Sequence, residues 1–393
     1  MPGTGRQALS LSAFSAAYFA HAGFFNPFLP LWLKELGFSL VVISALTAVQ
    51  SATRMFAPYA WGALSDHTGE RVKLLRAGSL IALALSAGLW FNGGAWWLGL
   101  VLLLMFAQTS GMMPMTEAAL AHVVSVNGVF DTKRYGRVRL WGSLGFMLAV
   151  LAAGVWFEMF GMHYFPLVAS ISLALLVLSA WALVDVKEPP HPQDAPTLSE
   201  RHVLRDKQVQ WLFAAIFFHV LSHMGIYTFF SLYLDELGYS KTTIGLLWAV
   251  SIVVEIGWFF TQGRWLPRFS LTGWLVVCAA VMVVRMGLTA SGAHWLWVLV
   301  LAQALHALTF AAHHSTCIAL LSHHFPGRLR GRGQALYSVI GYGIPGVAGS
   351  VLGGLLSDHW GLGSVFWATL ITSAMACACA FVVWKRQHAQ NAA

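Results

Sequence analysis

Twelve long apolar stretches constrain this sequence more than any other feature. Each approaches or exceeds the roughly 20 residues that an α-helix needs to cross a bilayer. Apolar and polar residues do not alternate within them, so transmembrane barrel strands are excluded. We therefore predict an all-α membrane protein with 12 transmembrane helices (spans 1 to 12), over residues 9–33, 40–64, 73–93, 95–121, 138–158, 163–184, 209–234, 242–262, 271–290, 295–321, 333–356 and 361–384.

The composition supports this class of protein. Hydrophobic residues make up 58% of the chain and charged residues only 10%, whereas soluble domains carry about 25% charged residues. A soluble enzyme and a disordered chain are therefore both excluded. The net charge of +8 reflects basic loops beside a lipid bilayer, and we expect no nucleic-acid partner.

The distribution of basic residues predicts the orientation. Of the 23 Lys and Arg residues, 19 lie at the two termini or in the loops on the same side as the termini. Only Lys34 and Lys241 lie in the opposite loops, and Arg54 and Arg285 lie within spans. Because cytoplasmic loops retain positive charge, we predict that both termini are cytoplasmic.

The two halves of the chain resemble each other. FLPLWLKELGFSL at 28–40 matches FFSLYLDELGYSK at 229–241, and the same offset pairs Arg54 with Glu255. Chance similarity of apolar segments is the alternative, which the matched charged and glycine positions disfavour. We predict an N-terminal six-helix bundle over 1–184, a proline-rich cytoplasmic linker over 185–207 and a C-terminal six-helix bundle over 208–393. Such a repeat is typical of transporters that bind substrate between their halves.

A compact loop motif follows span 2 in the segment GALSDHTGER. Gly62 would let helices approach closely, and Asp66 would cap a helix or form an ion pair near its end. Gly69 would take a left-handed turn before Arg71. Taken alone, the segment could equally be a solvated turn. Its position and spacing resemble the loop between helices two and three of the major facilitator superfamily, where it has a gating role.

The sequence further resembles the phenylpropionate permease (3-phenylpropionic acid transporter-like) family of that superfamily. The resemblance is carried by YGRVRLWGS at 135–143, by PMTE at 114–117, by VVEI and VVRMG around Glu255 and Arg285, and by LHALTFAAHH at 305–314. It implies the major facilitator fold, with two pseudo-symmetric six-helix bundles. It also implies a monomer in the bacterial inner membrane that takes up protons with a small organic anion, an aromatic carboxylate. A nucleoside or sugar symporter and a drug or metabolite exporter remain alternatives.

Carboxylates inside spans are the candidate proton carriers, because a buried carboxylate must be paired or become neutral. Glu255 is the first candidate and Glu117 the second. Glu255, Arg285 and His306 resemble an arrangement on spans 8, 9 and 10 of proton-coupled sugar permeases, although span 10 here lacks a nearby acid. A static ion pair is the alternative for Glu255.

Arg54 and Arg285 are candidate substrate clamps, because guanidinium binds carboxylate through two parallel hydrogen bonds. Pairing with buried acids is the alternative role for both. Arg139 is either a cytoplasmic-side gate partner of Glu117 or a residue that snorkels to the membrane surface. The superfamily resemblance adds five candidates for the walls of the substrate cavity: Tyr18, Asn26, Gln108, Tyr227 and Gln303. Gln108 and Gln303 occupy matching positions in the two halves.

No cofactor, metal or enzymatic site is expected. His219 and His223 share a helix face, but no carboxylate or cysteine accompanies them in span 7, and we interpret them as hydrogen-bonding side chains. The four cysteines form no metal-binding pattern. We find no nucleophile and base at a recognisable spacing and no phosphate-binding loop.

Overall fold

The computed structural model describes residues 2–126, 129–130, 132–184, 200–325 and 330–392. Within these residues, twelve helical segments are long and apolar enough to cross a membrane, which confirms the predicted number. Their bounds are Arg6–Glu35, Leu40–Ser65, Arg71–Trp90, Gly94–Glu117, Val138–Phe160, Met162–Trp181, Lys207–Glu236, Lys241–Arg268, Leu271–Gly292, Leu296–His324, Gly333–Trp360 and Gly363–Ala389.

The chain divides into two compact units, Met1–Pro192 with Ser240–Leu246, and Gln193–Tyr239 with Leu247–Ala393. Most of the predicted linker, over 185–199, lies outside the described residues. Within the rest of it, Glu200–Arg205 forms a short helix.

Helices build the first unit almost entirely. Ser39 accepts a hydrogen bond from the Val42 backbone N–H and begins span 2, and Gly69 ends that helix in the left-handed region at φ 65°. The helices are Pro2–Glu35, Leu40–Thr68, Arg71–Ser86, Gly94–Thr109, Met112–Val124, Thr132–Phe160 and Phe165–Trp181, with 3-10 turns at Ala87–Trp90 and Met162–Tyr164. Two-residue strands, Ser125–Val126 and Val129–Phe130, pair antiparallel.

In this unit span 1 packs along spans 5 and 6, span 2 packs on span 4, and span 3 packs on spans 4 and 6. Spans 1 and 5 approach closely because a Cβ on Gly23 or Gly145 would meet backbone atoms of the facing helix. An aromatic core fills the space beside them, where the Trp32 and Phe165 rings stack with centroids 4.9 Å apart. Small residues at the helix contact and large rings beside it are typical of membrane packing.

The later part of the chain is also helical, but three of its spans contain π-helical turns. The α-helices are Lys207–Met224, Phe230–Glu236, Lys241–Trp265, Leu271–Gly292, Leu296–Ala304, His313–His324, Arg330–Ser338, Ile344–Trp360 and Gly363–Ala392, with a 3-10 turn at Leu266–Arg268. The π segments are Gly225–Phe229 in span 7, Ala307–Ala312 in span 10 and Val339–Gly343 in span 11. Such turns are rare and occur frequently at functional sites.

The helices of the second unit pair in the same scheme as those of the first. Span 7 packs on spans 11 and 12, and span 9 packs on spans 10 and 12. A Cβ on Gly349 would lie 2.6 Å from the Met224 side chain, so this glycine is required where spans 7 and 11 meet. Matching helix pairs in each unit agree with the internal repeat predicted from the sequence.

Candidate functional site

Spans 4 and 10 are interrupted at matching positions. In span 4 the first α-helix ends at Thr109 and the next begins at Met112. In span 10 the first α-helix ends at Ala304, and the π segment begins at Ala307. Gln108 and Gln303 therefore stand just before a break in their own helix. Interrupted helices in transporters expose backbone and polar groups at the depth where substrates bind.

Arg285 of span 9 is the centre of a polar cluster in the second unit, and its side chain is 0% exposed. Its Nη1 donates to Thr309 Oγ1 at 2.9 Å and to ring nitrogens of His223 and His306, each at 3.2 Å. Its Nη2 donates to Gln303 Oε1 at 2.9 Å. Spans 7, 9 and 10 thus contribute to one hydrogen-bond network around a buried cation.

The network extends from Arg285 to Glu255 through His306. Because Arg285 donates to His306 Nδ1, that nitrogen carries a lone pair and the ring proton is on Nε2. His306 Nε2 lies 3.4 Å from Glu255 Oε2, so the imidazole donates to the carboxylate. Glu255 is 8% exposed. The predicted grouping of these three residues is therefore present, with His306 between the arginine and the acid.

Further histidines line the same cluster. His219 Nε2 donates to the Thr309 carbonyl at 2.7 Å, and its ring stacks on His313 with centroids 3.6 Å apart. The ring of Tyr227, a predicted wall residue, stacks on the His223 ring with centroids 5.5 Å apart. Across the described residues, no three His, Cys, Asp or Glu side chains are arranged to hold a metal ion.

Among the described residues, no carboxylate is in direct contact with the guanidinium of Arg285. Each hydrogen-bond partner of its guanidinium in the described part of the chain is a hydroxyl, an amide or an imidazole. Its Nε is buried and has no hydrogen-bond partner there. Within the same residues, Glu255 is linked to Arg285 only through His306, so the guanidinium keeps a buried donor for an anionic ligand.

The first unit carries a smaller polar group on spans 1, 2 and 4. Gln50 Nε2 donates to Asn26 Oδ1 at 3.0 Å, and the hydroxyls of Thr53 and Ser110 lie 3.0 Å apart. Gln108 Oε1 is buried without a partner among the described residues. Sequence reasoning selected Asn26 and Gln108 but missed Gln50, Thr53 and Ser110, whose signal was a polar side chain within an apolar helix.

Arg54 and Tyr18 complete this group. Arg54 is half-buried in span 2, and no described side chain forms an ion pair with it. Tyr18 is half-buried in span 1, where its ring meets the edge of Phe19 at 5.3 Å. The guanidinium of Arg139 lies over that Phe19 ring, 4.4 Å from its centroid.

Arg139 and Glu117 form an ion pair, which is one of the two alternatives that the sequence left open for Arg139. Arg139 Nε lies 3.3 Å from Glu117 Oε1, and the two side chains are 35% and 31% exposed. Both side chains are therefore more exposed than Glu255. An ion pair with this exposure contributes little to stability and opens at small cost.

The predicted left-handed turn of the loop is present at Gly69, whereas Gly62 differs from its prediction. Gly69 adopts φ 65°, and Arg71 Nε donates to Ser65 Oγ at 3.2 Å. The prediction that Gly62 allows close helix approach was wrong, because a Cβ at Gly62 would meet nothing within 4 Å. The side chain of Asp66 lies outside the described residues.

Twelve membrane-spanning helices, an internal repeat and ionisable side chains buried within spans define the protein as a membrane transporter. The sequence matches the MFS_1 like family over residues 8–368. The chain therefore belongs to this family of the major facilitator superfamily. It is a multi-pass membrane transporter and not an enzyme.

Two curated relatives align over most of the chain. It is 28% identical over 359 residues to the maltose permease of Geobacillus stearothermophilus, covering 89% of this chain and 87% of that protein. It is 26% identical over 357 residues to the probable 3-phenylpropionic acid transporter of Escherichia coli (strain K12), covering 91% and 92%. The crystal structure of a mutant of the nucleoside transporter NupG superposes with a TM-score of 0.81 at 16% identity, covering 96% of this chain and 99% of that one. That last similarity shows the fold.

Proposed function

We propose that this transporter takes up a small aromatic carboxylate, such as 3-phenylpropionate, together with protons by alternating access. The observation that carries the proposal is Arg285, a fully buried cation whose described partners are all neutral. A substrate carboxylate would bind the guanidinium directly through bidentate hydrogen bonds. The relative named as a probable 3-phenylpropionic acid transporter supports the same substrate class.

Other residues of the proposed substrate site are less buried than Arg285. Arg54 is the second cation, and Tyr18 and Tyr227 present aromatic faces on which a substrate ring stacks. The amides of the proposed wall are those of Asn26, Gln108 and Gln303. These roles are inferred from position in spans 1, 2, 4, 7 and 10 and from the chemistry of the side chains.

The proposed proton carrier is Glu255, with His306 as its hydrogen-bonded partner. One proton on this pair offsets the single negative charge of a carboxylate substrate, which lowers the cost of moving that substrate through an apolar core. Glu117 is the second candidate, and its ion pair with Arg139 is proposed to open and close as a cytoplasmic-side gate. Gly62, Asp66, Gly69 and Arg71 belong to the proposed gating loop.

We infer a monomer in a bacterial inner membrane with both termini in the cytoplasm. The excess of Lys and Arg in the termini and in the loops on their side supports this orientation. The six-helix repeat supports a division of the chain into bundles over 1–184 and 208–393, joined by a cytoplasmic linker. No cofactor or metal is part of the proposed mechanism.

A sugar symporter is the second candidate function. The relative named maltose permease, at 28% identity, favours it. The hydrogen-bonded amides of Asn26 and Gln50 also suit hydroxyl groups. In that case Arg285 orders the histidines and Gln303 and does not touch the substrate. The same transport experiment separates the two functions.

The experiment is uptake into proteoliposomes with an imposed pH gradient, acid outside. Radiolabelled 3-phenylpropionate, maltose and uridine are compared in the wild type, in Arg285→Gln and in Arg268→Gln. Arg268 is a matched control because it is an exposed arginine that stacks on Trp265 away from the cluster. We expect gradient-dependent uptake of 3-phenylpropionate alone, lost in Arg285→Gln and retained in Arg268→Gln. Uptake of maltose and not of the acid would overturn the proposal in favour of the sugar.

A further inference from the structure

Gln303 occupies a position that a substrate carboxylate would take. It lies one residue before the first helix of span 10 ends and is 1% exposed. Its Oε1 accepts a hydrogen bond from Arg285 Nη2 at 2.9 Å. An amide oxygen is a neutral acceptor of the same size as one oxygen of a carboxylate.

The hydrogen bonds of Arg285 are distributed unevenly over its planar guanidinium. Nη1 has two protons and three acceptors, which lie on spans 7 and 10. The opposite edge is formed by Nε and Nη2, whose N–H groups make the fork that binds carboxylates side-on. On this edge Nη2 is bound by Gln303, whereas Nε is buried with no partner among the described residues. One donor of this edge, Nη2, is therefore hydrogen-bonded, and the other donor, Nε, is not.

We propose that Gln303 is an internal stand-in for the substrate carboxylate. It holds Nη2 of Arg285 until a carboxylate with two oxygens displaces it and engages both Nη2 and Nε. The competition between the Gln303 amide and the substrate for Arg285 sets the affinity for carboxylates. It also discriminates against uncharged analogues, because an uncharged acceptor binds Arg285 no more strongly than the amide that it displaces. This inference rests on the proposed function, because it assumes that a substrate carboxylate reaches Arg285.

The matching glutamine of the first unit supports this assignment. Gln108 also precedes a helix break, but its Oε1 is buried without a hydrogen-bond partner in the described part of the chain. Residues 77–99, which include most of span 3, contain no Lys or Arg. Within the described residues, the glutamine before the break therefore has no donor on its Oε1 in the first unit and is bound by Arg285 in the second.

Two substitutions at Gln303 should act in opposite directions. Gln303→Met keeps the length of the side chain but removes the acceptor, so the half-saturation concentration for 3-phenylpropionate should fall on the order of tenfold. Gln303→Glu places a permanent carboxylate on the fork, so the half-saturation concentration should rise at least about tenfold. The uncharged analogue 3-phenylpropanamide competes with Gln303 through one amide oxygen only, so in both variants its weak affinity should shift by a smaller factor than that of the acid.

The assay is binding and counterflow of labelled 3-phenylpropionate in proteoliposomes, with 3-phenylpropanamide as competitor. Gln262→Met and Gln262→Glu are matched controls, because Gln262 accepts a hydrogen bond from Ser315 at 2.9 Å and is not among the described hydrogen-bond partners of Arg285. In one outcome the wild type binds 3-phenylpropionate, while the half-saturation concentrations of both Gln303 variants shift in the same direction or do not shift. The stand-in role of Gln303 is then wrong, and the proposed function is retained. If the wild type binds no carboxylate, the proposed function and the stand-in role of Gln303 are both wrong. If Gln303→Met does not fold, an unchanged affinity of Gln303→Glu for the acid is by itself enough to overturn the inference.

Discussion

Replacing Glu255 by glutamine should separate proton coupling from substrate exchange. His306 receives a hydrogen bond from Arg285 on Nδ1 and donates one from Nε2 to Glu255 across 3.4 Å. Glutamine retains an acceptor oxygen for that Nε2–H but cannot take up a proton. Because the hydrogen bond is long and is preserved in kind, we expect the free energy of unfolding to change by less than about 1 kcal/mol.

The size of the transport effect follows from the number of proton sites in this pair. One carboxylate carrying one proton couples one proton to each monovalent anion. A difference of one pH unit is then worth about 1.4 kcal/mol and supports about tenfold accumulation of substrate. In Glu255→Gln the accumulation ratio should fall to about one, whereas counterflow should stay within about twofold of the wild type because it needs no net proton movement.

The assay measures the internal and external 3-phenylpropionate of proteoliposomes at several imposed pH gradients. Coupling of one proton to one anion moves no net charge, so a potassium diffusion potential set with valinomycin should not alter the ratio. Glu236→Gln is the control, because Glu236 ends span 7 as an exposed carboxylate. If Glu255→Gln accumulated substrate as the wild type does, Glu255 would not be the carrier, and Glu117 would be tested next.

Four further variants test how individual residues stabilise the fold, each by reversible unfolding in mixed micelles. Gly69→Ala should destabilise the protein by about 1 kcal/mol because φ is 65° there. Gly62→Ala should be neutral or stabilising by up to about 1 kcal/mol because the added Cβ would point into open space. Equal effects of the two substitutions on the free energy of unfolding would contradict this reasoning. Arg76→Met should cost about 1–3 kcal/mol, since its guanidinium binds the carbonyls that end span 6, and an unchanged midpoint would rule out that role. Glu117→Gln should cost less than about 1 kcal/mol because its ion pair with Arg139 is about one-third exposed; a larger loss would indicate a buried pair.

The sequence was sufficient to predict the helical architecture and part of the cluster. Spans were predictable because a membrane helix must be long and apolar, and this requirement is independent of its neighbours. The association of Glu255, His306 and Arg285 was suggested by the resemblance to proton-coupled sugar permeases, and it agrees with the rule that ionisable groups inside spans need polar partners. The contact between Glu117 and Arg139 was one of two alternatives that the sequence left open for Arg139.

The choice of partners could not be predicted, because it depends on distances between helices. Sequence reasoning suggested an acid as the neighbour of Arg285, and the structure places His223, Thr309 and Gln303 there, with His306 between the arginine and Glu255. The wrong prediction at Gly62 has the same origin. The sequence around a glycine in a helix does not show whether the glycine faces a neighbouring backbone or open space.

The π-helical turns of spans 7, 10 and 11 have a mechanical consequence. In such a turn the amide reaches a carbonyl five residues back, so the helix contains one residue more than a regular α-helix needs. A surplus residue can migrate along a span by exchanging one backbone hydrogen bond at a time, and no polar backbone group is left unpaired in lipid. Each one-residue step rotates the side chains it passes by about 100°. We therefore expect amide hydrogen exchange to be faster in the π segments than in the uninterrupted helix of span 9, and uniform protection would contradict this reasoning.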